Sequence, residues 1–395
     1  MGKNNNGRIK EHNRGDRVFL VRNVASEKFG GGEIYQLVLA RKLSGAGFSP
    51  VIISNSRELI QRAKKEGFLV LVPPYSNCQN WSGYRNVFLP AYKIFQIRLK
   101  RWYEKMINYY KPVVINLQSR DDMIAGTLAA KKYGIRVLWT DHADFKNWVL
   151  WNVNKKFKNI IGKRIINLSK DAERVIFVSE NIAKETRDLI MPKKLHGAMV
   201  IENGVEDSLA QFKNVKLRSM SFVFIGRVVK EKGIEELISA FLKIAKDYPK
   251  VTLDIFGEGK LDVYRRLSSD CDNIRFMGKT ERPLEALAER QIFVLPSYTE
   301  GLSLSLLDAA MMKRSIIATN VGGNNEVVKN GKTGLLVSAE DNEDLAEKMK
   351  YMLDNNEDAV RMARNARKLY EEKFNIDKIF EEKMLPLYNI SKERG

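Results

Sequence analysis

The chain has 395 residues, enough for two domains, with 44% hydrophobic and 29% charged residues, ordinary values for a soluble globular protein. No apolar run reaches the roughly eighteen residues needed to span a bilayer, and the polar, basic stretch Met1–Arg17 lacks the apolar centre of a secretory signal. The formal net charge is +19, and the whole excess lies in the first half: residues 1–200 carry 36 Lys and Arg against 16 Asp and Glu, and residues 201–395 carry 31 against 32. A one-sided basic surface suits nucleic acid, an anionic membrane or an anionic substrate. Two distant cysteines, Cys78 and Cys271, and three histidines speak against a structural zinc site and for a reducing cytosol. Met1-Gly2 opens like a myristoylation site, but Asn6 stands where Ser or Thr is required.

Apolar runs alternate with helical patterns along the chain. Val18–Val21, Val51–Ile53, Phe68–Val72, Val113–Leu117, Val137–Trp139 and Val175–Val178 read as buried strands. Ile34–Leu43, Arg57–Lys65 and Met123–Lys132 read as helices between them. The pattern then restarts with strands at Phe222–Ile225, Val251–Phe256, Ile274–Met277, Ile292–Leu295, Ile316–Ala318 and Leu335–Val337. Glu235–Lys246, Leu284–Glu289 and Glu343–Leu353 are the helices of this second series. Strands alternating with helices imply parallel sheets and right-handed crossovers. Two such series predict an α/β protein of two doubly wound, Rossmann-like domains. The joint is expected near Asn203-Gly204-Val205-Glu206-Asp207, where turn residues and charge replace the apolar pattern.

Chemistry in such sheets sits at the carboxyl ends of the strands. One strand ends in Gly226-Arg227-Val228-Val229-Lys230-Glu231-Lys232-Gly233. Cations there compensate a leaving diphosphate, or they are merely solvated. Another strand runs into Glu300-Gly301, and Asp308 follows eight residues after the first acid. Free N–H groups around Leu302, Ser303 and Leu304 would open a helix and form an anion site. Asp308 would accept hydrogen bonds from ribose hydroxyls. Alternatively Glu300 caps the helix and Asp308 faces water. Gly30, Gly31 and Gly32 follow the first strand and let backbone approach a ligand, although the spacing is not that of a dinucleotide loop. His142 closes the strand Val137–Trp139, as a cleft residue or a structural one. Asp270-Cys271-Asp272 spells a metal-site pattern but precedes a strand, so it reads as a turn. Phe95, Leu99, Trp102, Met106 and Tyr109 share a helical face within Lys93–Lys111, interleaved with Lys93, Arg98, Lys100, Arg101 and Lys105. That pattern fits core packing or an interfacial membrane helix. A second basic stretch, Lys155–Lys158 with Lys163 and Arg164, lies in the same half.

Taken together these pieces resemble the retaining glycosyltransferases of family 4, group 1, on a GT-B fold. The resemblance covers most of the chain. It rests on Gly30–Gly32, His142, Val178-Ser179-Glu180, Ile201-Glu202-Asn203-Gly204-Val205, Gly226-Arg227 with Lys232-Gly233, Phe256-Gly257-Glu258-Gly259 and Phe276-Met277-Gly278. Glu300-Gly301, Gly322-Gly323 with Glu326, and Thr333-Gly334-Leu335-Leu336-Val337 continue the series. It implies two domains facing a central cleft: residues 1–205 on the acceptor side, 206–374 for the nucleotide-sugar donor, and 375–395 crossing back onto the first. Arg227 and Lys232 would then hold the donor diphosphate and Glu300 the sugar hydroxyls. His142 would meet the sugar from the opposite domain. Asp308, Gly301, Leu302, Ser303, Leu304, Gly257, Met277 and Gly226 would surround the donor. Gly30, Gly31 and Gly32 would border the acceptor and the phosphates. Transfer would retain anomeric configuration with no metal, no resident cofactor and no covalent enzyme intermediate. The co-substrate would be a UDP- or GDP-sugar. The chain departs from the family pattern in two places. Asp308 stands for the usual Glu and shortens the reach to ribose by roughly 1.5 Å. Leu302-Ser303 replaces Phe-Pro.

The expected function is sugar transfer to a glycan or polyprenyl-linked acceptor in surface polysaccharide or glycoconjugate synthesis. The expected place is the cytoplasm, peripheral to the inner face of the plasma membrane. The alternative is a GT-B partner subunit without turnover, for which Asp308 alone speaks. Nucleic-acid binding has only the charge behind it, with no helix-turn-helix, zinc finger or aromatic RNA-reading motif.

Overall fold

The computed structural model describes residues 15–23, 29–74, 89–142, 160–190, 197–268 and 271–389. Lys155–Lys158, Cys78 and Asp270 therefore lie outside the described residues. The first seven strands are β1 (Arg17–Val21), β2 (Ser49–Ile53), β3 (Leu69–Leu71), β4 (Val114–Leu117), β5 (Arg136–Asp141), β6 (Arg174–Phe177) and β7 (Ala198–Val200). They form one sheet in the order β3-β2-β1-β4-β5-β6-β7. The next six are β8 (Arg218–Ile225), β9 (Thr252–Phe256), β10 (Ile274–Gly278), β11 (Arg290–Leu295), β12 (Ser315–Thr319) and β13 (Leu335–Val337). Their sheet has the order β10-β9-β8-β11-β12-β13. Within each sheet the described pairings are parallel.

Both series expected from the sequence are thus present, and both are doubly wound. The continuous apolar runs are strands covered on two faces: Val18–Val21 and Ile292–Leu295 are at most 1% exposed. The described chain divides into two compact units, one holding Met1–Thr140 and Val149–Arg174, the other Asp141–Trp148 and Val175–Asn389. β6 and β7 are counted with the second.

In the first unit, α1 (Gly31–Gly45), α2 (Arg57–Lys65), α3 (Leu89–Tyr110) and α4 (Arg120–Lys132) accompany the strands. On α3, Phe95 and Leu99 are buried, Trp102 and Met106 half-buried, and Tyr109 is 75% exposed. The shared apolar face of α3 is therefore core packing down to its last turn. A polar seam ties the carboxyl ends of β1 and β4, where the strand order reverses. The Asn23 amide donates to Asp122 at 3.0 Å, Tyr103 Oη donates to the same carboxyl at 2.6 Å, and the Asn23 N–H donates to Ser119 Oγ at 2.7 Å. Burial raises the Asp122 carboxyl to about 7 against those hydrogen bonds, which favour its ionised form.

Candidate active site

In an open parallel sheet, ligands bind outside the carboxyl ends of the strands where the order reverses. In the second sheet that point lies between β8 and β11. The segments leaving these strands are Gly226–Gly233 and Pro296–Gly301, which the sequence leaves about seventy residues apart. The topology makes them neighbours.

Their side chains meet there. Lys232 Nζ pairs with Glu300 Oε1, both side chains largely buried at 18% and 10% exposure. Ser297 Oγ donates to the same Glu300 oxygen at 2.7 Å. The backbone locks the two segments together, since the Tyr298 N–H donates to Glu231 O at 2.9 Å. Gly233 is required by this approach. Its φ is +66°, and a Cβ there would stand 2.0 Å from Pro296 O. Arg227 is exposed and has no carboxylate partner among the described residues. Its guanidinium stays available to an anion, whereas the Lys232 ammonium is held by Glu300.

The helix after Glu300 spans Leu304–Met311, with Ser303 at its N-cap. Glu300 does not cap it. With Ser303 at the N-cap, the N–H groups without intrahelical acceptors are those of Ser303 to Leu306, overlapping the Leu302–Leu304 window expected. Asp308 sits on this helix. The residue is half-buried, its carboxyl group has no hydrogen-bond partner among the described residues, and burial raises it to about 7. An acid raised in the folded state is destabilising once ionised. The penalty is absent below pH 4, grows towards pH 7 and is constant above. Asp308→Asn is therefore expected to raise Tm at pH 8 and to leave it unchanged near pH 4. An equal gain at both pH values would refute the assignment.

Glycines shape the rest of the rim. Gly257 has φ +151°, and its Cβ would lie 1.7 Å from Gly226 O. The Gly226 N–H donates to Phe256 O at 3.0 Å and the Gly257 N–H to Gly278 O at 2.8 Å, so the ends of β8, β9 and β10 close together. Met277, on β10, is 46% exposed. Gly322, at φ +51°, passes 1.8 Å from Glu300 O measured from its would-be Cβ, and the Gly323 N–H donates to Gly301 O at 2.6 Å.

The sequence supplied motif positions here without a role, and the structure gives them one. Asn181 Nδ2 donates to Gly322 O at 2.9 Å, and the Asn181 N–H donates to Glu326 Oε1 at 2.9 Å. Asn203 Nδ2 donates to Leu302 O at 2.9 Å. Asn203, Gly322-Gly323 and Glu326 thus prop the backbone of residues 300–304. Burial raises the Glu326 carboxyl above its ordinary value. Ser297 and Asn181 were missed by sequence reasoning, being ordinary polar residues beside motifs.

Gly30–Gly32 stand at the other sheet's strand ends. Gly30 is the N-cap of α1, and its N–H donates to Glu33 Oε2 at 2.9 Å. Arg22 Nε donates to Glu33 Oε1 at 2.9 Å. A Cβ on Gly32 would lie 2.4 Å from the Arg22 guanidinium. Gly32 therefore admits a cation, Arg22, which the sequence reading did not single out. His142 follows β5 and is half-buried.

Comparison with known proteins fits this arrangement. Residues 29–209 match Glycosyltransferase Family 4, and residues 206–369 match glycosyl transferases group 1. The capsular polysaccharide biosynthesis glycosyltransferase CapM of Staphylococcus aureus is 28% identical over 296 residues, 71% of this chain and 77% of that one. A glycogen synthase of Mycobacterium tuberculosis is 30% identical over 208 residues, 51% of this chain and 50% of its own. A glycosyltransferase from Rickettsia africae superposes with a TM-score of 0.72 at 20% identity, over 95% of this chain and 98% of that one. Anabaena HepE in complex with UDP-glucose gives 0.74 at 16% identity, over 95% and 100%. The structural likeness bears on fold, two Rossmann-like domains of the GT-B type. The two matched families run together from residue 29 to residue 369, and the chain belongs to the family 4, group 1 glycosyltransferases.

Proposed function

We propose that the chain is a retaining, metal-independent hexosyltransferase. It would take a sugar from a UDP- or GDP-sugar and pass it to a glycan or polyprenyl-linked acceptor in surface polysaccharide or glycoconjugate synthesis. The observation that carries this reading is the meeting of Lys232, Glu300 and Ser297 at the strand-order reversal, ahead of a helix N-terminus. Lys232 and Arg227 place positive charge where a diphosphate leaves. The N–H groups at Leu304 and beyond face the same anion. Glu300, held by Lys232 and Ser297, is oriented to accept hydrogen bonds from sugar hydroxyls. Asp308 would meet the ribose, and Gly226, Gly257, Met277, Gly301, Leu302 and Ser303 would wall the donor. His142 and Gly30–Gly32 would serve the sugar and the acceptor. The acceptor hydroxyl would attack the anomeric carbon as its bond to the diphosphate breaks, its proton passing to the departing phosphate. Similarity to CapM supports the polysaccharide setting, and the UDP-glucose bound by HepE supports the donor class.

A thermal-shift screen of nucleoside diphosphates and nucleotide-sugars tests the reading. The right donor raises stability by mass action, about 2.7 kcal/mol at a concentration one hundred times Kd. The product should keep the donor's anomeric configuration. If no nucleotide stabilises the protein and no sugar is released, the proposal fails. Peripheral attachment to an anionic inner membrane face belongs to the same reading. It is supported by the first half's basic excess and by exposed Ile94, Ile97, Arg98 and Arg101 on α3. Recovery of the protein wholly in the soluble fraction after flotation with anionic liposomes would count against it. No helix among the described residues is long and apolar enough to cross a membrane.

A further inference from the structure

A second concave site lies at the opposite edge of the second sheet. The amino ends of β8, β11 and β12 border a cavity of about 560 Å³. That size falls within the range of about 300–1,000 Å³ for small-molecule sites. Lys313, Arg314 and Arg364 line it, with no Asp or Glu among the lining residues.

Such a concentration of charge is unusual for this half of the chain, which carries slightly more acids than bases. Several cations nearby have carboxylate partners. Arg361 pairs with Asp358 at 2.7 Å, Arg218 with Glu289 at 3.1 Å, and Arg367 with Asp207 and Glu371. The three in the cavity have none among the described residues. Arg314 Nε donates to Met312 O at 2.8 Å, and its Nη1 reaches Ala288 O and Arg290 O at 3.4 Å. All three acceptors are backbone carbonyls, so its charge is solvated but not neutralised. Its burial lowers the guanidinium below its ordinary pKa, as expected of an uncompensated cation.

The backbone around the cavity is also out of the ordinary. Among the described residues four non-glycine positions have positive φ, and two of them, Met220 at +52° and Lys313 at +58°, line this cavity. Strained residues of this kind persist where surrounding structure holds them, often at ligand sites. Met220 belongs to an irregularity in the β8–β11 pairing, and its N–H donates to Gln291 Oε1 at 2.8 Å. Gln291 Nε2 in turn donates to Asn356 Oδ1 at 2.7 Å. Leu217, Leu353 and Val360 supply an apolar wall beside the cations.

We propose that this cavity binds a small phosphate monoester, the phosphoryl group lying among Lys313, Arg314 and Arg364 and the organic part against Leu217, Leu353 and Val360. Two guanidinium groups and an ammonium match a dianionic phosphate better than a lone carboxylate. The site shares no residue with the Lys232–Glu300 cluster and does not depend on the donor reading.

Titration calorimetry of the full chain with phenyl phosphate and with inorganic phosphate is the test. Both should bind, phenyl phosphate more tightly because it also covers the apolar wall. Arg364→Glu and Lys313→Glu, at exposed positions, should each weaken phenyl phosphate roughly ten- to hundredfold. Lys232→Ala should leave that binding unchanged. Circular dichroism and Tm confirm that the variants are folded. The proposal is overturned by no binding at millimolar ligand, by affinity indifferent to both charge reversals, or by loss of binding in Lys232→Ala. Equal affinity for the two probes would overturn the assignment of the apolar wall.

Discussion

Lys232→Ala is expected to lower kcat for sugar transfer by about 10²–10³-fold, the usual cost of removing one preorganised group that stabilises charge in the transition state. Two effects act together. The diphosphate loses a cation placed at the strand end. Glu300 loses the partner that orients it, keeping only the Ser297 hydroxyl at 2.7 Å. Because one residue serves both, the effects of Lys232→Ala and Glu300→Gln should be strongly non-additive, as for residues acting as a unit. The fold should tolerate the change, with Tm shifting by no more than about 2–4 °C, the equivalent of ~1 kcal/mol. Steady-state kinetics with the donor found by the nucleotide screen makes the comparison. Wild-type turnover in Lys232→Ala would remove the basis for the proposed chemistry.

The largest stability effect is expected from Gly233→Ala. An alanine at φ +66° costs about 1–3 kcal/mol in backbone strain alone. The added Cβ would also stand 2.0 Å from Pro296 O, closer than any real contact. Relief requires β11's exit to move away from β8's, which breaks the Tyr298–Glu231 hydrogen bond and separates Lys232 from Glu300. We expect a loss of about 3 kcal/mol or more and a Tm drop of ~6–12 °C. Gly331→Ala is the control. It has a similar φ of +71° but nothing within 4 Å of its Cβ, so only strain remains. Similar Tm losses in the two variants, by scanning calorimetry, would show that the close approach to Pro296 carries no weight.

These cases show what the sequence discloses and what it withholds. Buried parallel strands are legible because both faces are apolar: Leu335–Val337 reads as a strand and is one, with the same bounds. β7 was not anticipated, being three half-buried residues without a distinctive pattern. The sequence reading likewise contains no helix at Ile160–Ser169, Glu180–Ile190 or Leu261–Leu267. Motif glycines were visible, but their reasons were not, because the atom each one avoids lies far away in sequence. Gly233 answers to Pro296, Gly322 to Glu300, and Gly204 to Ile376. The pairing of Lys232 with Glu300 is likewise invisible to any local pattern. It follows from the strand order, which places β8 beside β11.

That adjacency also bears on how the protein reaches its native state. β8 and β11 pair directly, Phe222 opposite Ile292, although β9 and β10 lie between them in the chain. A folding chain must close that long loop before the pairing repays its entropy, and parallel, non-local contacts of this kind are slow to form. The Lys232–Glu300 cluster can assemble only after this step. Recovery of nucleotide binding during refolding should therefore lag behind recovery of helical signal, making the donor a kinetic reporter of completed topology.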